Sequence, residues 1–121
     1  FKEAGACWSG EDLLTLGPAL EHHAIFPKRT NVQLAVPTGA KELTILIWER
    51  GAGETQASGS SSCAAACAAV RLGLVTSPVA VRMPGGTLTI DVAPDFSLTM
   101  KGPVAEVARG SLSASFVRSL R

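Results

Sequence analysis

No stretch of this 121-residue chain approaches the roughly 18–20 consecutive apolar residues that cross a bilayer, so no membrane span is expected. Charge is also sparse: Asp, Glu, Lys and Arg make up 17% of the residues and sum to +1. So small an excess argues against a nucleic-acid surface and a polybasic membrane patch. The three cysteines are few and odd in number, and Cys63 and Cys67 fall one helical turn apart. They do not form a disulfide framework, and the expected compartment is the cytosol. The chain opens at Phe1 with neither an initiator methionine nor a signal-peptide pattern, as expected of a fragment or an incompletely represented protein. It lacks internal repeats and low-complexity linkers. Gly51-Ala52-Gly53 lacks the Lys-Ser/Thr ending of a phosphate loop.

What is present is apolar and compact in pattern. Hydrophobic residues are 46% of the chain and the mean hydropathy is +0.27, enough for one domain with a real core but not for two. The chain is organised around Trp48 to Val70. An apolar strand (Leu43 to Trp48) leads into a glycine-rich connection (Gly51 to Gly59) and then a helix of small residues (Ser60 to Leu72). Ser58, Ser60, Ser61 and Ser62 offer N-cap hydroxyls, and Gly73 is placed to close the helix in the left-handed conformation. The run Cys63 to Ala69 has no polar face, so burial on all sides is expected. A helix start approached by a glycine-rich loop presents free N–H groups and the positive end of the macrodipole, which is an anion site.

Upstream, Ser9 or Gly10 can cap a helix whose apolar stripe is Leu13, Leu14, Leu16 and Leu20, interrupted at Gly17-Pro18. His22 and His23 close it, one facing the negative dipole end and one solvent. Adjacent positions diverge by about 100°, so they are a poor zinc pair, and no metal site is expected. Asn31 to Val36 and Glu42 to Trp48 read as a hairpin turning at Pro37-Thr38-Gly39-Ala40. Val79 to Met83 and Thr87 to Val92 read as a second, turning at Pro84-Gly85-Gly86. Phe96 to Met100 and Val104 to Leu112 read as further strands, and Ser113 to Arg121 as a fraying tail. The sum is α+β: five or six mostly antiparallel strands around the small-residue helix, with a second helix outside.

Specific motifs carry a family resemblance. Trp48-Glu49-Arg50-Gly51-Ala52-Gly53-Glu54-Thr55-Gln56-Ala57 is very similar to the signature of diaminopimelate epimerases, amino-acid isomerases of lysine biosynthesis that use no pyridoxal phosphate. Leu16 to His23 and Phe26 to Val32 resemble the family upstream of that signature. Met83-Pro84-Gly85-Gly86-Thr87-Leu88 and Met100-Lys101-Gly102-Pro103 resemble its downstream motifs. The matches run in order from about Asp12 to Gly110 and resemble only the second of the family's two domains. The implied division is a C-terminal-type domain over residues 11–113, an unmatched segment 1–10 and a flexible tail 114–121.

The resemblance implies a site between two domains, each giving one cysteine. One thiolate takes the α-proton from one face of the substrate, and the opposing thiol returns a proton to the other. No cofactor is implied. Ser58 stands where the family's second-domain cysteine would be, and a serine hydroxyl needs an adjacent base to be activated. Gly59 and Ser60 match the backbone N–H pair that holds the substrate α-carboxylate. Glu49 matches the acceptor of its ammonium, and Arg50 and Asn31 match contacts to its distal carboxylate. The plainer readings are Ser58 as an N-cap, Glu49–Arg50 as a surface ion pair, and Asn31 as a cap for local backbone. Cys63 and Cys67 read as small core residues. The expected ligand is an amino acid or other carboxylate, and the expected partner is a first domain or a second copy of the chain. The alternatives are a non-catalytic binding or scaffold protein, and a different isomerase or dehydratase on this fold.

Overall fold

In the computed structural model, which describes residues 1–120, Ser9 opens helix α1 (Gly10–Glu21). Its hydroxyl accepts from the Asp12 N–H at 3.1 Å, and the Asp12 carboxylate accepts from the Ser9 N–H at 2.9 Å, closing a reciprocal capping box. The expected break at Gly17-Pro18 does not occur, and Pro18 lies inside a continuous helix. Gly17 lies directly over the Trp48 ring, so the helix turn that carries Pro18 is held down by packing.

Strands β1 (Val32–Gly39) and β2 (Glu42–Glu49) form the first hairpin, with Val32 opposite Trp48 and Ala35 opposite Ile45. The turn is later than expected. Pro37 and Gly39 belong to β1, with a bulge between them, and the chain reverses at Ala40 and Lys41. Pro37 is tolerated because β1 is an edge strand. Two residues earlier, Ala35 O accepts the Lys2 N–H from outside the sheet at 3.0 Å, so the donor that Pro37 lacks also falls on the open side.

Strand β3 (Gly53–Thr55) folds back on the end of β2, with Gly51 (φ 76°) and Gly53 (φ 82°) in the left-handed region that glycine adopts without strain. Helix α2 (Gly59–Arg71) then carries the chain across to β4 (Val79–Met83), which pairs parallel to β2. Strands β5 (Gly86–Val92) and β6 (Leu98–Lys101) follow antiparallel. The order is β1-β2-β4-β5-β6, with β3 against β2. The architecture is α+β, with a mixed, mostly antiparallel open sheet and three helices.

The period of two along β2 gives the sheet two apolar faces. Leu43, Ile45 and Ile47 point to α2 and pack with Ala65, Ala66, Ala69, Val79, Val81, Ile90 and Val92. Leu46 and Trp48 point the other way, beside Leu13, Leu16, Val32 and Leu34 beneath α1. Each fully buried Leu, Ile or Val contributes about 1.5–3 kcal/mol. The alanines of α2 add little apiece but let the helix lie close to the sheet.

Two further expectations are corrected. Helix α2 is not buried all round: Ser60, Ala64 and Arg71 are exposed, because the open sheet covers only one of its sides. Residues 104–112 form no strand, and Val104 and Val107 are 98% and 95% exposed. Their spacing of three gives no strand face, since a strand needs apolar residues at intervals of two. In the expected tail, Ala114–Ser119 form a short helix, α3, which Ser113 caps and none of whose residues is buried. Residue 121, the last of the expected tail, lies outside the described residues.

Candidate functional site

Ser58 is the N-cap of α2, with extended backbone (φ −154°, ψ 123°). Its hydroxyl accepts from the Ser61 N–H at 3.4 Å and lies 3.3 Å from the Ser60 hydroxyl, while its carbonyl accepts from the Ser62 N–H and hydroxyl. A helix start leaves four N–H donors without intrahelical partners. Here these are the donors of Ser58, Gly59, Ser60 and Ser61: Met83 Sδ takes the first and the Ser58 hydroxyl the last, while the Ser62 N–H already makes the first intrahelical bond. Among the described residues, the Gly59 and Ser60 N–H groups have no acceptor. They remain directed at whatever approaches the positive end of α2.

The two downstream motifs converge on this point. The Gly85 N–H donates to Gln56 O at 2.7 Å, and a Cβ at Gly85 would sit 2.9 Å from that oxygen. The turn between β4 and β5 can therefore dock on the Gln56–Ala57 segment only as glycine. From the other side, Met100 Sδ would stand 3.0 Å from a Cβ at Gly59, and Gly102 is pressed against Leu88. Beneath the cap, Met83 Sδ receives the Ser58 N–H at 3.5 Å and the Ser62 hydroxyl at 3.2 Å. A cleft of about 260 Å³ is lined by Ala57, Ser58, Gly59, Met83, Gly85–Leu88 and Pro103.

Glu49, Arg50 and Asn31 gather separately, at the far end of the first hairpin. Asn31 Oδ1 accepts the Arg50 N–H at 2.7 Å, and Arg50 Nη1 donates to Lys28 O at 3.1 Å. The Asn31 side chain therefore bonds a residue nineteen positions away rather than its local backbone. Among the described residues, Glu49 and Arg50 make no ion pair with each other, and the Glu49 carboxylate has no partner. Gln33, one side of β1 further along, donates from Nε2 to the Ser61 hydroxyl at 3.0 Å and ties this end of the sheet to the start of α2.

Sequence reasoning missed Glu21. It is 3% exposed, and its carboxylate accepts from Trp48 Nε1 (2.7 Å), the Gly51 N–H (3.0 Å) and Arg29 Nη1 (3.3 Å), with His22 Nε2 at 4.0 Å. The Trp48 hydrogen bond is the largest influence holding it below the ordinary carboxylate value, followed by the Gly51 N–H, His22 and Arg29; burial opposes them. The available signal was an acidic residue ending a helix, where the dipole disfavours it.

Among the described residues, no three His, Cys, Asp or Glu side chains gather as a metal site. His22 closes α1 with Nδ1 3.0 Å from Pro18 O. Cys63 and Cys67 are half-buried on α2, and burial, reinforced by Cys67, pushes the Cys63 thiol up. No helix is long and apolar enough to cross a membrane.

Comparison with known proteins matches residues 8–107 to the diaminopimelate epimerase family model. The chain is 50% identical over 98 residues to the diaminopimelate epimerase of Azotobacter vinelandii, covering 80% of this chain and 36% of that one. It is 43% identical over 106 residues to that of Rhodospirillum centenum, covering 88% and 36%. It is 48% identical over 97 residues to diaminopimelate epimerase 2 of a Nostoc species, covering 80% and 34%. The chain thus spans about a third of the length of these relatives. With a cleft built from the end of the signature and both downstream motifs, and a match over most of its length, the chain belongs to the diaminopimelate epimerase family.

Proposed function

We propose that residues 11–113 are the second, C-terminal-type domain of a diaminopimelate epimerase-like isomerase, carrying half of an amino-acid site. The observation that carries this reading is the convergence of Ala57–Gly59, Gly85–Leu88 and Pro103 on the start of α2, where the Gly59 and Ser60 N–H groups have no acceptor. The geometry suits a carboxylate: two parallel N–H donors and a helix dipole cost no reorganisation when the anion arrives. Glu49 would take the substrate ammonium, and Arg50 and Asn31 the distal carboxylate. The reaction would invert the α-carbon without a cofactor, by proton removal on one face and delivery on the other.

Ser58 occupies the position of the second-domain acid–base cysteine. Its hydroxyl already caps α2, and its hydrogen-bond partners are Ser60 and Ser61, neither of which is a base. A thiol at a helix start ionises near neutral pH, whereas a hydroxyl does not. The chain alone would therefore bind an amino acid or another carboxylate weakly and exchange no α-proton. Its partner would be a first domain or a second copy of itself. The capped state of Ser58 also favours a second reading, a binding protein on this fold with no chemistry of its own.

The test is exchange of the diaminopimelate α-proton in deuterated water, followed by NMR. The unaltered chain should show none. Ser58→Cys should restore exchange only when a first-domain partner supplies the opposing group. Rapid exchange by the unaltered chain would overturn the role given to Ser58, and silence from the completed Ser58→Cys pair would favour the binding protein.

A further inference from the structure

The Glu21 carboxylate is badly placed for the helix it ends. It stands at the negative end of α1 and is almost fully buried, so dipole and desolvation both oppose its charge. What compensates is not on α1. The Trp48 indole N–H and the Gly51 N–H both reach it from β2 and the connection beyond, and Arg29 reaches it from the loop before β1. Trp48 and Gly51 bracket Glu49-Arg50. The same loop holds Arg50 twice more, through Asn31 Oδ1 on its N–H and Lys28 O on its guanidinium. Arg29 itself has a positive φ of 60°, a conformation a non-glycine residue keeps only where its surroundings fix it. Trp48, Arg50 and Gly51 are anchored by α1 and the loop before β1, whereas Glu49 is held through its backbone, its O accepting the Ala52 N–H at 3.0 Å, and its carboxylate is left without a protein partner among the described residues.

We infer that Glu21 is a positioning residue. Its carboxylate clamps Trp48 and Gly51 and so fixes the direction in which Glu49 and Arg50 present their charges to a zwitterionic ligand. The inference rests on the reading of Glu49 and Arg50 as ligand contacts, and its test separates the two. Two variants are compared with the unaltered chain: Glu21→Gln, which keeps the shape and removes the charge, and Ile45→Val, a core control expected to be mildly destabilised. Hydrogen exchange is read at the Arg50 and Gly51 amides, and meso-diaminopimelate is titrated by NMR shift.

Glu21→Gln should speed exchange at Gly51 and weaken meso-diaminopimelate by about tenfold each, while Ile45→Val moves neither beyond its global loss of stability. A folded Glu21→Gln with Gly51 exchange and ligand midpoint unchanged overturns the inference. Should Glu21→Gln fail to fold, the unaltered chain still decides it by acid titration. His22 and Arg29 are the charged groups facing Glu21, so the Gly51 and Trp48 N–H resonances should move together in one step below pH 4.5, and separate steps overturn the clamp. If the unaltered chain binds no meso-diaminopimelate while Gly51 still responds to Glu21, the amino-acid site falls and the clamp stands.

Discussion

Trp48 lies flat on Gly17, where an added Cβ would come within 2.6 Å of two ring atoms. Gly17→Ala must therefore push the indole off α1 and strain its bond to Glu21. Overpacking of this kind costs about 1–3 kcal/mol, and urea unfolding should show it. The same bond has a pH signature. Glu21 has its folded pKa lowered from 4.5, so its contribution is complete above the unfolded value and disappears as pH falls through the folded one. Glu42, held down first by its hydrogen bond from Arg82, and Asp12, held down first by the Ser9 N–H, act in the same direction. Stability should fall steadily as pH drops below about 4.5, and less steeply in Glu21→Gln, as read from urea midpoints across that range. Thiol chemistry also separates by residue. Cys7 is exposed, whereas Cys63 is half-buried with its pKa raised by burial and by Cys67. A thiol reagent at neutral pH should label Cys7 first and Cys63 only slowly, and mass mapping of the labelled chain would check this.

Helix α2 was legible because its signals are local. Serines at the start, small residues through the middle and Gly73 (φ 71°) beyond the end each act within a turn of the backbone they specify. Ser58→Ala should cost about 0.5–2 kcal/mol through loss of the cap, measured by thermal or urea unfolding. Both hairpins were legible for the same reason, through alternation, and the second through its turn residues as well. What failed was decided at longer range. The exposed stripe of α2 depends on how far the open sheet reaches, and alanine serves a buried and an exposed face equally well. Pro37 read as a turn residue because the sequence does not reveal that β1 is an edge. Residues 104–112 carry valines that strand propensity favours, yet no strand forms there to pair beyond β6. In the site, the motif residues pointed to the start of α2, but nothing in the spacing of Glu21, Trp48 and Gly51 foretold that they meet. That constellation joins the end of one helix to a strand and a turn some thirty residues away.

At the scale of the molecule, the surface near the start of α2 is the least self-sufficient part of the fold. Strand β6 is an edge with every residue exposed; Leu98 and Met100 show 39% and 51% of their surface to water, and Met100 lies beside the helix start. Val104 and Val107 extend the same apolar character along the chain that follows. Patches of this kind draw partners, and a twofold pair needs only one self-complementary surface. Unpaired edges add to the tendency, since their N–H and C=O groups can pair across such an axis. Charge works against it, because two α2 starts and two Arg50 side chains would be brought together. An anion between them removes that repulsion and satisfies the Gly59 and Ser60 N–H groups as well. The expected outcome is a homodimer of modest affinity that tightens when sulfate or phosphate replaces chloride at equal ionic strength. Sedimentation at micromolar concentration reads it directly. A species that is strictly monomeric in both salts would show the dimer to be wrong.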